Sequence, residues 1–403
     1  MEADLKKLVS LGIMGSALWS LTSFAQSSVT LYGIVDEGVN YTSNVATSSG
    51  GKRLFNLSSG VLQGSRWGLK SVEDLGGGLK ALATLESGFD VNNGRLGQGG
   101  LLFGRQAFVG LGSKQLGTVT LGRQYDSVVD FASPIAISHQ WAGYIGAHPG
   151  DIDNFNNGQR TNNAVKYTSP TFDGVTFGGL YSFGGIAGNA TQNQVWSVGA
   201  AYGQGPLQLG AGYLNVRNAN VGFFGNSSAN ILTATTANAT NPVISGFMSA
   251  HTYQVIGASA AYTIGAATIG ATYSNSQFKS LGDTATSGPN PLGYTGSVMF
   301  NNAELNFKYQ VTPALLLGAA YDYSKSGSTT NRSGTNPGAT YHQGTIGADY
   351  FLSKRTDLYF IGVFQKASGT DSTNKAAVAS INGLTASSND RQVAVRLGIR
   401  HKF

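Results

Sequence analysis

Along most of the chain, apolar and polar residues alternate with a period of two. In SSVTLYGIVDEGVNY, Val29, Leu31, Gly33 and Val35 fall on one face, and Thr30, Tyr32, Ile34 and Asp36 on the other. In SRWGLKSVED, Trp67 and Leu69 oppose Arg66, Gly68 and Lys70. In LKALATLESGFD, Leu79, Ala81, Ala83 and Leu85 oppose Lys80, Thr84 and Glu86, with Leu82 breaking the second face. The closing RQVAVRLGIRHKF puts Val393, Val395, Leu397 and Ile399 opposite Arg396, Arg400 and Lys402, and alternates as far as Phe403. Successive side chains of a strand point to opposite faces, so this period predicts strands. Past the first 25 residues no 3.6-residue stripe is sustained.

The connections between these segments alternate in length. Short turns fall at EDLGGG, SKQLG, SPTFDG, GQGP, TIGA, QVTPA and LSKRT. Between them lie longer stretches rich in Gly, Asn, Ser and Thr: Thr42–Lys52, Asn92–Gly104, Asp126–Asn162, Gly184–Gln194, Asn218–His251, Ser280–Val298, Ser326–Thr340 and Ala367–Asp390. Eight long loops and seven short turns separate about 16 strands. Long loops at one end and tight turns at the other are the plan of an antiparallel transmembrane β-barrel. The fold class expected is therefore all-β, with both termini on the short-turn side. The last strand, RQVAVRLGIRHKF, is expected to pair with the first, SSVTLYGIVDEGV, so that no edge is left open.

Composition supports a barrel in lipid rather than a soluble sandwich. Only 11% of the 403 residues are charged, against about 25% in a typical soluble domain. A barrel averages an apolar outer face with a polar lumen, which accounts for a mean hydropathy of −0.06. Tyr167, Phe177, Tyr181, Phe307, Tyr309, Tyr350, Phe351, Tyr359, Phe364 and Phe403 lie towards strand ends and suit interfacial girdles. The 57 glycines do not open helices, so LGGGLK and GGLYSFGGIAG read as turns or small strand residues, not phosphate loops. The absence of Cys excludes thiolate catalysis and Cys-based metal sites. The net charge of +6 is scattered, with no long basic run, so no nucleic-acid partner is expected. Residues 1–25 carry Lys6 and Lys7, an apolar stretch from Leu8, then Ser23 and Ala25 before Gln26; they read as a secretory signal peptide, leaving 26–403 as the barrel.

SSVTLYGIVDEGV, SRWGLKSVEDLGGGLKA, RQAFVGLGSKQLGTVTLGRQYD, NNAVKYTSPTFDGVTFGGLYSFG and VRLGIRHKF together resemble the general porins of Gram-negative bacteria, especially the β-proteobacterial type. The resemblance spans essentially all of 26–403. It implies a 16-stranded barrel in the cell outer membrane, among its lipid and lipopolysaccharide, assembled as a homotrimer of separate pores. It also implies a third extracellular loop folded inward to narrow each channel. In the family a terminal Phe is read by the barrel-assembly machinery, and Phe403 matches that position.

The third loop would then be Asp126 to about Asn162, offering Asp126, Asp130, Asp151 and Asp153 as acidic candidates for the constriction; the enteric PEFGG signature is absent, and Pro134 is followed by Ile135. Parity supplies the opposite wall. With Trp67 and Leu69 facing lipid, Arg66 and Lys70 face the lumen, and Lys80 does so on the next strand. With Phe108 outward, Arg105 faces in; with Val165 and Tyr167 outward, Lys166 faces in. Parity turns Arg123 outward with Val119 and Leu121, but LGRQYD resembles the family's approach to the third loop, so Arg123 is kept with the basic set. A basic arc facing an acidic loop sets a transverse field and, at net +6, a weak anion preference. His139 and His148 share the loop with Asp151 and Asp153, but an isolated loop His is more often a solvated polar residue than a ligand, so no metal or cofactor is expected. The function read from the sequence is passive diffusion of small hydrophilic solutes and ions. A substrate-specific channel on the same barrel is the alternative; an outer-membrane enzyme or adhesin is a third reading, with no catalytic motif in its favour.

Overall fold

A computed structural model describes residues 27–225 and 235–403; the signal-peptide reading of 1–25 lies outside them. Seventeen strand segments form one antiparallel sheet. Two of these, Gly50–Ser59 and Arg66–Gly76, pair in succession with the single strand Ser28–Thr47, so the barrel has sixteen staves. We number them β1 (Ser28–Thr47), β2 (Gly50–Ser59 continued by Arg66–Gly76), β3 (Leu79–Gly88), β4 (Gln106–Ser113), β5 (Gly117–Gln124), β6 (Thr161–Thr168), β7 (Val175–Ser182) and β8 (Val195–Gln204). The second half comprises β9 (Leu207–Arg217), β10 (Ala250–Ile264), β11 (Ala267–Leu281), β12 (Val298–Thr312), β13 (Leu315–Ser326), β14 (Ala339–Phe351), β15 (Thr356–Gly369) and β16 (Arg391–Lys402). Each stave pairs with its sequence neighbours, and β16 pairs with β1 in register from Lys402 opposite Ile34 to Ala394 opposite Thr42. Closure leaves no strand edge facing hydrocarbon, where an unpaired backbone group costs several kcal/mol. Among the described residues no helix is long and apolar enough to span a membrane, and the strands do that work.

The outer face follows the alternation. Val29, Leu31, Val39, Leu121, Leu305, Ile346, Leu397 and Ile399 are exposed on it. Most of the expected girdle residues are exposed as well. Phe351 is half-buried, and Tyr359 is fully inside. Leu358 takes the outward position, and Tyr359 is buried on the inner face, where its hydroxyl donates to Asp36 and accepts from Arg396 Nε at 2.6 Å.

All seven short turns stand where the sequence places them. The first long connection does not. β1 runs on to Thr47 and β2 starts at Gly50, so Thr42–Lys52 is a protruding hairpin turning at Ser48–Ser49. Its strand edges stay paired, with one register shift between Thr42 and Val45.

The closing seam is built around Asp36 of β1. Its Oδ1 accepts from Arg396 Nη2 at 3.0 Å, and its Oδ2 accepts from the Gln63 N–H at 2.6 Å. Its backbone carbonyl accepts from the Gly60 N–H at 2.8 Å, which holds the break between the two parts of β2. Arg396 is fully buried and also donates to Asn40, Ser58 and the Gly38 carbonyl. Lower on the seam, Arg400 donates to Asp357 at 2.9 Å. Phe403 exchanges two backbone hydrogen bonds with Gly33, both at 3.0 Å. Its ring lies where a Gly33 Cβ would be, 2.2 Å from that point, so only glycine lets the terminal ring cover β1.

Replacing Asp36 with Ala is expected to leave the Arg396 guanidinium buried without its carboxylate, at a cost of about 3–5 kcal/mol. The double change Asp36→Ala/Arg396→Met should cost less than the two single changes summed. Urea unfolding in detergent measures all three; additive losses would show that the two residues do not act as a pair.

Candidate functional site: the constriction and its arginines

The third loop, 125–160, folds into the barrel as five short helical turns and not as a sustained helix. Apolar side chains hold it there. Val128, Ala132, Ile152 and Phe155 are buried with wall residues Leu214, Tyr253 and Val255. Ile137, Trp141 and Ile145 are buried with Val61, Leu62, Tyr359 and Ile361. The wall accepts them because it carries glycine where they arrive. A Cβ at Gly199 would stand 2.7 Å from the Phe131 ring, one at Gly212 2.8 Å from Val128, and one at Gly257 2.8 Å from Phe155. Cβ atoms at Gly318 and Gly347 would stand 2.4 and 2.5 Å from Trp141. Contacts this short do not occur between real side chains, so these glycines form the seat.

Opposite the loop is a cavity of about 690 Å³. Arg66, Arg105 and Arg160 line one side of it, and Asp130, His139 and Tyr144 of the loop line the other. It shares Asn156, Gly158, Asn382 and Gly383 with a second cavity of about 700 Å³ bounded by the outer loops, so the two form one aqueous path. Glu86 of β3 organises the arginines. Its Oε1 accepts from Arg105 Nε at 2.7 Å and lies 3.9 Å from Arg66 Nη1, while its Oε2 accepts from the Tyr32 hydroxyl at 2.9 Å. The Arg160 guanidinium lies 5.6 Å from the Tyr125 ring centroid. Burial, then repulsion from Arg105, pushes Arg160 down to about 10, still cationic at neutral pH. Two guanidinium groups thus share one carboxylate, and a third lies on the same cavity wall beside Tyr125.

The structure separates the other expected basic residues. Lys166 points inward but is tied to Asp130 by an ion pair and donates to the Tyr125 carbonyl at 3.1 Å, so it anchors the loop. Lys70 sits 4.7 Å from the Tyr32 ring, and Lys80 lies near the short turn; neither lines the cavity. Arg123 escapes strict parity because the β5–β6 register shifts between Gly122 and Gln124. It is buried and donates to the Gly104 carbonyl and Asn162, outside the cavity lining. The parity argument for Arg105 needs correction. Val109 and Leu111 are the exposed residues of β4, and Phe108 shares a face with its lumen-side partner Thr84. Arg105 reaches the lumen because it precedes β4 and is outside its alternation.

The acidic candidates are placed differently from the expectation. Asp130 lines the first cavity, where it is paired with Lys166, and Asp151 lines the second. Asp126 is fully buried, with its carboxylate accepting from the N–H groups of Val128 and Val129 and from Asn154 Nδ2. Asp151 accepts from the N–H groups of Asn156 and Gly158. Asp153 faces His148, with Nδ1 and Oδ2 2.6 Å apart. Burial pushes the His148 imidazole down, but Asp153, then Asp322 and Glu304, outweigh it and raise it to about 10. These three acids satisfy the loop's own donors and set its shape. Glu86, Tyr125 and Arg160 were not singled out from the sequence. Arg160 sits in GQRTN at the loop's end, where no strand period fixes its direction.

This architecture meets sequence relatives along nearly its whole length. A family described as Gram-negative porin matches residues 13–370. An outer membrane porin of Bordetella pertussis is 30% identical over 400 residues, covering 94% of this chain and 95% of that one. The chain belongs to the Gram-negative porins. Outer membrane porin protein 32 of Delftia acidovorans is 29% identical over 413 residues, covering 99% of both chains. An anion-selective porin from Comamonas acidovorans superposes with a TM-score of 0.70 at 25% identity, covering 94% of this chain and 100% of that one. The outer membrane protein OmpT of Vibrio cholerae, in a trimer form, shares the fold at a TM-score of 0.63 and 18% identity. Like its family, this porin is an outer-membrane channel.

Asp126→Ala is expected to leave the two buried N–H groups of Val128 and Val129 without an acceptor, each at about 1–3 kcal/mol, and Asn154 Nδ2 with only the Gln159 carbonyl. The barrel should still fold, because the wall does not depend on that carboxylate. Single-channel current noise should rise; a channel as quiet as wild type would show that Asp126 does not hold the loop.

Proposed function

We propose that this porin passes small hydrophilic solutes by passive diffusion with a weak preference for anions. The observation that supports the reading is that Arg66, Arg105 and Arg160 line the cavity wall while only one carboxylate, that of Glu86, stands among them, held by Arg105 and close to Arg66. The Lys166–Asp130 pair contributes no net charge, so about two positive charges are left facing the water. At 4–7 Å in a watery pore each is worth about 0.6–1 kcal/mol to a monovalent anion. That favours anions several-fold without binding them tightly enough to stop their passage. The solved relative described as anion-selective is consistent with this preference.

We further propose that the porin functions as a homotrimer in contact with lipopolysaccharide, after export on the signal peptide at 1–25. The barrel-assembly machinery would read the strand that ends at Phe403. Support comes from the trimer form of the Vibrio cholerae neighbour and from the seated ring of Phe403.

In a planar bilayer under a salt gradient, the wild-type reversal potential is expected to have the sign of an anion-preferring pore. Arg66→Gln, Arg105→Gln and Arg160→Gln combined should abolish or reverse it, because Glu86 is then uncompensated. Cation preference in the wild type would refute the assignment. Insertions should appear as three equal conductance steps, and liposome swelling should fall smoothly with sugar size. Single steps would count against a trimer of pores, and saturation by one sugar against general diffusion.

A further inference from the structure

On the far side of the third loop lies a cluster that the pore does not use. His148 of the loop, Glu304 of β12 and Asp322 of β13 each offer one ligand atom, and these atoms lie within 4.8 Å of one another. All three residues are buried, and none lines the cavity. Two of their polar atoms, His148 Nε2 and Asp322 Oδ1, have no hydrogen-bond partner although their residues are only 2% and 1% exposed. They face each other at 3.7 Å, too long for a hydrogen bond. In a tetrahedral site with bonds of about 2.0–2.1 Å, neighbouring ligand atoms stand about 3.3 Å apart, so a small closure would bring them to bonding distance.

The surroundings are built for this. Asp153 Oδ2 engages His148 Nδ1 at 2.6 Å and accepts from Ser274 Oγ at 2.5 Å, while its Oδ1 accepts from the Phe155 N–H at 3.2 Å. A carboxylate on one ring nitrogen fixes the imidazole's orientation and raises the basicity of the other nitrogen, as it does behind metal-bound histidines. Glu304 Oε1 accepts from Asn306 Nδ2 at 2.6 Å and from the Ile137 N–H at 3.1 Å. Asp322 Oδ2 accepts from Gln343 Nε2 at 3.3 Å. Charge points the same way. Asp153, Glu304 and Asp322 face one imidazole, and among the described residues no Lys or Arg forms a salt bridge with them. A buried cluster with an excess of carboxylates is neutralised by protons or by a cation.

We propose that His148, Glu304 and Asp322 bind one divalent transition-metal ion of the zinc class, which clips the third loop to β12 and β13. One imidazole and two carboxylates form a borderline donor set that suits such an ion better than calcium, which takes oxygen ligands. The ion takes the place of the imidazole proton, so loading releases protons. With no exposed edge, the cluster is filled during folding or when the loop opens.

The test is to refold the full chain in detergent with cobalt(II), remove free metal, and record metal content and the visible spectrum. The expected result is about one cobalt per chain with the d–d bands of a low-coordinate site, displaced by an equal amount of zinc. His148→Ala and Asp322→Asn should lose the bands, while His251→Ala, at the start of β10, keeps them. Folded wild type that takes up no cobalt overturns the proposal and leaves a cluster neutralised by protons only. Folded His148→Ala with full cobalt loading overturns it too. If neither variant folds, the wild-type titration decides: saturation at one zinc per chain with a rise in unfolding temperature supports the site, and an unfolding temperature indifferent to zinc and chelator rejects it.

Discussion

Every backbone N–H and C=O that enters hydrocarbon must find its partner inside the protein, and the rest of the molecule follows from that demand. It makes the sheet close, and closure puts β16 beside β1. The seam joins the first and last strands in sequence, with no connection of its own to hold its register. Its register is instead carried by Asp36, which gathers Arg396, Tyr359 and the break in β2 onto one carboxylate. The same break supplies the Val61 carbonyl that receives the Tyr144 N–H of the third loop at 2.9 Å, so the seam and the constriction share a foundation.

The lumen is built by a second, opposite logic. A loop can lie inside a barrel only if its own polar groups are satisfied and its apolar side chains find somewhere to pack. The acids of the third loop meet the first need and the glycines of the wall the second. Once those acids are spent on the loop, Arg105 and Arg66 across the cavity are left with Glu86 as their organising carboxylate. The field in the pore therefore reflects what the loop has already consumed, and the chain's net charge of +6 is a poor guide to its size.

The barrel was legible because its period is strict and its turns are punctuated by Gly and Pro. Strand count, the seven short turns and the pairing of first with last strand all follow from alternation. Failures cluster where alternation stops. Thr42–Lys52 looks like a loop because it is polar, but a hairpin beyond the bilayer can be polar on both faces. Phe108 looks lipid-facing because it is aromatic, yet cross-strand register with Thr84 assigns it to the interior. Arg160 and Asp126 lie in a segment with no repeating geometry, where neither direction nor burial can be read from spacing. Gly199, Gly212, Gly257, Gly318 and Gly347 did leave a signal: small residues on the inner face of well-formed strands, where a merely wet lumen would tolerate side chains of any size.

Those glycines make the channel's bore a property of residues that no solute touches. A methyl group added behind Trp141 or Phe155 would lift the loop towards the opposite wall without altering any charge in the passage. A lineage under pressure to admit less of a toxic compound, or more of a scarce nutrient, could thus change what gets through while leaving the arginine wall, and the ions it favours, as they were.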